Sequence, residues 1–279
     1  MDVKGIYDVH VHTAPDVSKR KFTDPELAAR LEAKGMAGFL VKNHFTETAA
    51  RAALLQAQFP KLKIIGGIVL NRTVGGFNPY AVENCAKLGG QVVWLPTLEA
   101  RSYQKKKHPG MSDQEAAAYL TALDDNGQLV PGISEILDIV KAYDMVLATG
   151  HVSAEEGMAV LKAAHDKGIQ KLVATHVDGA ADYYTTEQLK QAAALGAMTE
   201  HCYFNIQAGH ITPAEMAERI RAVGAEQVVL STDVGQPASP YPDEALSKLG
   251  DLLLAEGITP EELHIMLVDN PARYYTRAL

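Results

Sequence analysis

The chain has 279 residues, 47% of them apolar, and a formal net charge of -8 with histidine counted neutral. That is enough apolar material for one large domain, since single α/β barrels run to about 250 residues. The acidic balance argues against a general nucleic-acid binder, which carries a basic face, and no apolar run approaches the roughly 18 residues of a membrane span. The two cysteines, Cys85 and Cys202, form no C-x-x-C pair, so thiolate zinc sites and a disulfide framework are not expected and a reducing, cytoplasmic setting is. The opening MDVKG runs straight into the first strand, with no signal peptide ahead of it.

In chain order, short segments rich in Val, Ile and Leu fall at 5–12, 37–44, 63–70, 91–96, 145–151, 171–177, 197–204 and 227–233. Their length and β-branched content predict strands buried on both faces. Helical periodicity fills the gaps. TDPELAARLEAKG offers Asp24 as N-cap, Pro25 at the first helical position and Gly35 as a stop. SAEEGMAVLKAAHDKG offers Ser153 as cap and Glu155 and Glu156 in the first turn, and the segments TTEQLKQAAALG and TPAEMAERIRAVG repeat the scheme. Eight strand–helix units in series predict one (β/α)8 TIM barrel over residues 1–279, of the α/β class and open to distortion. The rhythm breaks after the fourth strand, where RSYQKKKHPGMSDQE predicts an excursion over the barrel mouth. There ALDDNGQLVPG reads as a hairpin turn at Asn126-Gly127, followed by a helix from about Ser134 to Tyr143.

The chemistry sits at the strand ends. Alternation places Asp8, His10 and His12 on one face and Val9 and Val11 on the other, with the valines expected under the helices and the histidines inside the barrel. His44 ends the second strand, His151 the fifth and His176 the sixth, while His201 lies in the seventh and Asp233 ends the eighth. A barrel gathers the C-terminal ends of its strands around one mouth, so these side chains are expected to meet. Neutral imidazoles with one carboxylate suit a zinc site that keeps a position for water. Glu200 and His201 are adjacent, so one faces inward, and His201 is the expected one.

The motifs HVH, TGH, ATH and STD together resemble the amidohydrolase superfamily of metal-dependent hydrolases, and LVDNPARYY resembles the segment that closes many of those barrels with a helix. VKNHFTET, LNRTVGGFNPYAVE, VVWLPTLEA and LATGHVSAEE further resemble a little-characterised subgroup known only as a domain of unknown function. The resemblance implies His10, His12, His151, His176 and Asp233 as ligands of one or two divalent ions, zinc foremost, with manganese or iron as alternatives. It implies Asp233, and by its strand His201, as catalytic groups. The fourth strand of the superfamily supplies a bridging carboxylated lysine or glutamate; QVVWLPTLEA has no lysine, which leaves Glu99, Lys42 or His44 as bridge or extra ligand. Asn71, Arg72 and Arg101, on the same rim, are candidate substrate contacts for a small molecule.

The resulting expectation is a metal-dependent hydrolase acting on a C–N or C–O bond of a small polar substrate, with a homo-oligomer left open. DVHVHT with a second-strand histidine also resembles the polymerase-and-histidinol-phosphatase phosphoesterases, although Gly235 stands where their Asp-x-His pair ends. A non-oxidative decarboxylase and a non-enzymatic metal-binding barrel are the remaining alternatives.

Overall fold

A computed structural model describes residues 1–276. Its strands are β1 (Tyr7–His12), β2 (Gly38–Lys42), β3 (Lys63–Ile65), β4 (Gly67–Val69), β5 (Val92–Trp94), β6 (Val146–Ala148), β7 (Leu172–Ala174), β8 (Ala197–Cys202) and β9 (Val228–Ser231). They form two parallel sheets, β1-β2-β3 and β4-β5-β6-β7-β8-β9. β3 and β4 are one barrel strand interrupted at Gly66. There Thr48 crowds the strand so closely that a Cβ on Gly66 would lie 2.5 Å from the Thr48 carbonyl oxygen. Across the other seam, the His12 amide donates to Val234 O at 2.8 Å and the Asp233 amide to His10 O at 2.9 Å. Eight strand positions therefore follow one another in order, the last hydrogen-bonded back to the first.

Local chemistry places the helices between them. Ser153, Thr185, Thr212 and Thr259 each accept from the backbone three residues on, and the Glu or Gln at that position reaches back. Each such cap contributes about 1 kcal/mol. In the first helix the cap is Thr23 and Asp24 is the first helical residue, so the helix begins one place earlier than expected. Two apolar clusters lie between the sheet and the helices, and a third fills the barrel. The interior cluster includes Leu40, Val69, Trp94, Val146, Val173, Met198 and Val229, and it is joined by Tyr274 and Tyr275 from the helix Asn270–Tyr275. Asn270 ties that helix in place by donating to the carbonyls of Ala225 and Val228, at 2.8 and 2.7 Å.

Simple alternation fails on β1. The register against β2 shifts between Asp8 and Val11, a bulge of the kind that re-aims side chains beside functional sites. Val9 consequently packs in the barrel interior, not under the helices, while Val11 joins the sheet–helix cluster. His10 and His12 still point inward, above the apolar layer.

The excursion after β5 forms the helix Arg101–Lys107, a short turn of helix at Asp113–Ala116, and an antiparallel bridge between Leu123 and Leu129. Only Gly127 of the turn pair takes a positive φ, 74°. The buried Glu156 carboxylate anchors this segment, accepting from the Ala122 amide at 2.7 Å and from the Thr121 hydroxyl. The following helix is Ile133–Ala142. Among the described residues no helix is long and apolar enough to cross a membrane.

Candidate metal centre

Five imidazoles from four strand ends meet at the mouth of the barrel. Ring centroids are 5.5 Å apart for His10–His12, 4.6 Å for His12–His44 and 5.7 Å for His44–His151. They are 4.7 Å apart for His151–His176 and 5.7 Å for His176–His10, so the five close a circle. Asp233 enters this circle from the end of β9. Its Oδ1 lies 3.2 Å from His10 Nε2 and 3.1 Å from His12 Nε2. His176 and Asp233 both hold positive φ, 26° and 53°. Non-glycine residues rarely adopt such angles, and the strain of about 1–3 kcal/mol each is kept where the two side chains turn into the site.

The surrounding groups orient these rings. Glu200 Oε1 accepts from His10 Nδ1 at 2.9 Å, which leaves Nε2 as the acceptor facing inward. The same carboxylate accepts from Ser231 Oγ at 2.8 Å and from the His176 amide at 3.1 Å. Burial pushes the Glu200 pKa up, but the His10 partner outweighs it and holds the group at about 2. Asp233 behaves alike: burial works against ionisation, and His10 and His12 hold it well below the usual carboxylate range. Burial lowers His12 to about 3 and pulls His44 and His151 well below 6.5, so these rings are neutral. Burial also pulls His176 down, but Asp182, 2.7 Å from its Nδ1, raises it to about 9.

Lys42 is wholly buried. It donates from Nζ to His10 Nε2 at 2.8 Å and lies 5.2 Å over the Trp94 ring; burial lowers its pKa. His44 Nδ1 pairs with Thr97 Oγ1 at 2.8 Å, and Asn71 donates to that same oxygen at 2.8 Å. Lys42 and His44 thus lie beside the histidine circle.

Other expectations are corrected. Glu200, not His201, faces the barrel interior. It has the parity of Met198, which packs inside, whereas His201 points to the helix layer, with its Nδ1 2.6 Å from Asp178. Arg219 closes that pair from the far side, with Nε 2.7 Å from Asp178 Oδ1. A catalytic His201 is therefore ruled out by register. Glu99 sits on the rim, bound to the Arg72 amide, with the Arg72 guanidinium 4.0 Å away, and it touches no ring of the circle. Asn71 is a buried brace for Thr97, and Asn71, Arg72 and Arg101 do not line the cavity above the histidines. Asp182, Thr97, Tyr103 and Asn205, which lie at or beside the site, carried no periodicity or motif by which sequence could select them.

That cavity has a volume of about 340 Å³, and His12, His44, His151, His176 and Asp233 form its floor. The donor set fits a divalent cation. His10 Nε2, His12 Nε2 and Asp233 Oδ1 lie within 4.8 Å of one another, and the buried Nδ1 of His151 has no hydrogen-bond partner. Imidazole nitrogens with a carboxylate are the ligands of zinc and its neighbours.

The model of one family, described as a family of unknown function (DUF6282), matches residues 5–200. No curated protein matches the sequence. Among solved structures, the fold is similar to that of an amidohydrolase from Pseudomonas aeruginosa, at 12% identity and a TM-score of 0.67, covering 98% of this chain and 95% of that one. It is similar to a phosphotriesterase homology protein from Escherichia coli, at 14% identity and a TM-score of 0.65, covering 99% and 100%. It is also similar to an organophosphorus hydrolase from Deinococcus radiodurans, at 16% identity and a TM-score of 0.59, covering 99% and 93%. The fold is therefore an α/β barrel similar to those of these proteins.

Proposed function

This chain belongs to the DUF6282 family, whose function is unknown, and we propose that it is a metal-dependent hydrolase cleaving a C–N or C–O bond of a small polar molecule. One observation carries the reading: a single carboxylate oxygen, Asp233 Oδ1, is shared at 3.1–3.2 Å by two inward imidazole nitrogens. His10, His12 and Asp233 would hold one divalent ion, zinc in our reading. His151 and His176, with His44 or Lys42 in place of the missing fourth-strand bridge, would hold a second. Such an ion supplies Lewis-acid polarisation of the scissile group and lowers the pKa of a water toward about 7.

The chain's own residues do the remaining work. Asp233 stays ionised in its bed of imidazoles and takes the proton from the attacking water, returning it to the leaving group. Glu200 fixes the tautomer of His10 by holding Nδ1. Asp182 stands 2.7 Å from His176 Nδ1 as its ionic partner, so Nε2 is left for the second ion or, with one ion bound, for the oxygen on which charge develops. Gly235 weighs against the three-metal phosphoesterase alternative. A Cβ at this position would lie 1.9 Å from the His12 carbonyl oxygen, so no ligand side chain fits there.

Elemental analysis of the purified chain tests the reading, together with turnover on panels of lactones, cyclic amides and phosphoesters. We expect about one or two divalent ions per chain and activity on the first two panels. A chain that binds no divalent ion, or that binds one equally well after His12→Ala, overturns it.

A further inference from the structure

Three basic side chains from two separate loops stand on the wall of the cavity above the histidine floor: Arg20, from the loop after β1, and Lys106 and Lys107, from the helix after β5. The exposed lysine run is divided between two directions. Lys105 turns away and pairs with Asp113 at 2.9 Å, while its two successors line the cavity. Arg20 is no surface charge either. Its side chain is 6% exposed, and Asp16 fixes it by accepting from Nε at 2.6 Å. Asn205 also lines the cavity and is 3% exposed. Its Oδ1 is taken by His210 Nδ1 at 3.1 Å, and its Nδ2, buried, has no partner. A buried amide donor left unpaired in this way is unfavourable until something accepts from it.

The two acids of the cavity lining are already engaged, Asp233 by His10 and His12 and Asp182 by His176. The wall is therefore cationic and donor-rich, with Arg20 held in place by Asp16, although the chain as a whole is acidic. We propose that the substrate is a small oxyanion, carrying a carboxylate or phosphate that Arg20, Lys106, Lys107 and Asn205 bind while its scissile bond lies over the histidine floor. Charged donors on such a group form strong hydrogen bonds, and their field in a cleft draws anions in. The inference rests on the hydrolase reading for what lies on the floor, but the wall recognises the anion independently of it.

The test is calorimetric titration of the full chain, metal-loaded and metal-stripped, with inorganic phosphate, malonate and neutral acetamide. We expect phosphate or malonate to bind in both forms, acetamide not to bind, and affinity to fall with ionic strength. Lys106→Gln with Lys107→Gln, on an exposed helix where folding is not at risk, should weaken binding roughly tenfold, about 1.4 kcal/mol. Asn205→Ala should weaken it by a similar factor with metal content unchanged. Whichever anion binds more tightly identifies the group. Unaltered anion affinity in both variants, or equal binding of acetamide, overturns the proposal. Anion binding by a chain that takes up no metal would instead leave this inference standing and remove the hydrolase reading.

Discussion

Two buried histidine–carboxylate pairs meet β8 at consecutive residues, and they are opposites. On the inner face Glu200 holds His10 at 2.9 Å; on the outer face His201 is held by Asp178 at 2.6 Å. The outer pair is closed, because Arg219 balances the carboxylate and also donates to the carbonyls of Val177 and Tyr184 at 3.1 and 2.7 Å. It pins the loop that follows His176 and offers nothing to a ligand. The inner pair is open, because Glu200 takes one nitrogen of His10 and leaves the other aimed at the oxygen that His12 shares. Burial and a carboxylate partner do not distinguish a binding histidine from a structural one. What distinguishes them is whether the second ring nitrogen faces other donors around a cavity.

Substitutions on the two sides should separate these roles. The largest effect is expected inside: Asp233→Asn should lower turnover by roughly 10²–10⁴, the range for losing a general base, in a steady-state assay on whichever panel substrate is active. Outside, Arg219→Met should leave Asp178 a buried charge with only His201 for company and cost about 3–5 kcal/mol in denaturant unfolding. Metal content should not change, and a loss of metal equal to that of an inner variant would break the comparison. Glu200→Gln should weaken metal affinity roughly 10–100-fold by releasing the His10 tautomer, read by competition with a chelating dye. His201→Gln should leave that affinity alone.

The smallest effect is one of pH. Asp182 holds His176 near 9, above its ordinary 6.5, so the folded metal-free protein binds that proton more tightly than the unfolded chain does. The pair's stabilisation is therefore full below about pH 6.5 and lost as the pH rises through about 9. In the metal-stripped protein, Asp182→Asn should lower the urea midpoint at about pH 6 and leave it unchanged near pH 10. An equal loss at both values would show that Asp182 acts only by packing.

Much of this was legible beforehand. The strands fell inside the expected segments because runs of β-branched residues between capped, glycine-terminated helices fit few other structures. His10, His12, His151, His176 and Asp233 met because parallel strands in a barrel deliver their C-terminal ends to one mouth. Other features could not be read. The bulge in β1 depends on pairing with β2 and carries no signature in YDVHVH, so simple alternation puts Val9 on the wrong face. Glu99, Arg72 and Arg101 follow strand ends, which is the whole of their signal, but Glu99 is engaged by the Arg72 amide and none of the three lines the cavity.

By itself, then, the sequence determined the strand–helix order and the identities of the groups that converge, because hydrophobic periodicity and capping chemistry are local. Only the tertiary structure decided the register of β8, and with it that Glu200 rather than His201 faces the histidine circle, and also which members of the lysine run face the cavity. Those choices depend on contacts between residues tens to hundreds of positions apart. A one-residue shift along a strand exchanges its faces at almost no local energetic difference.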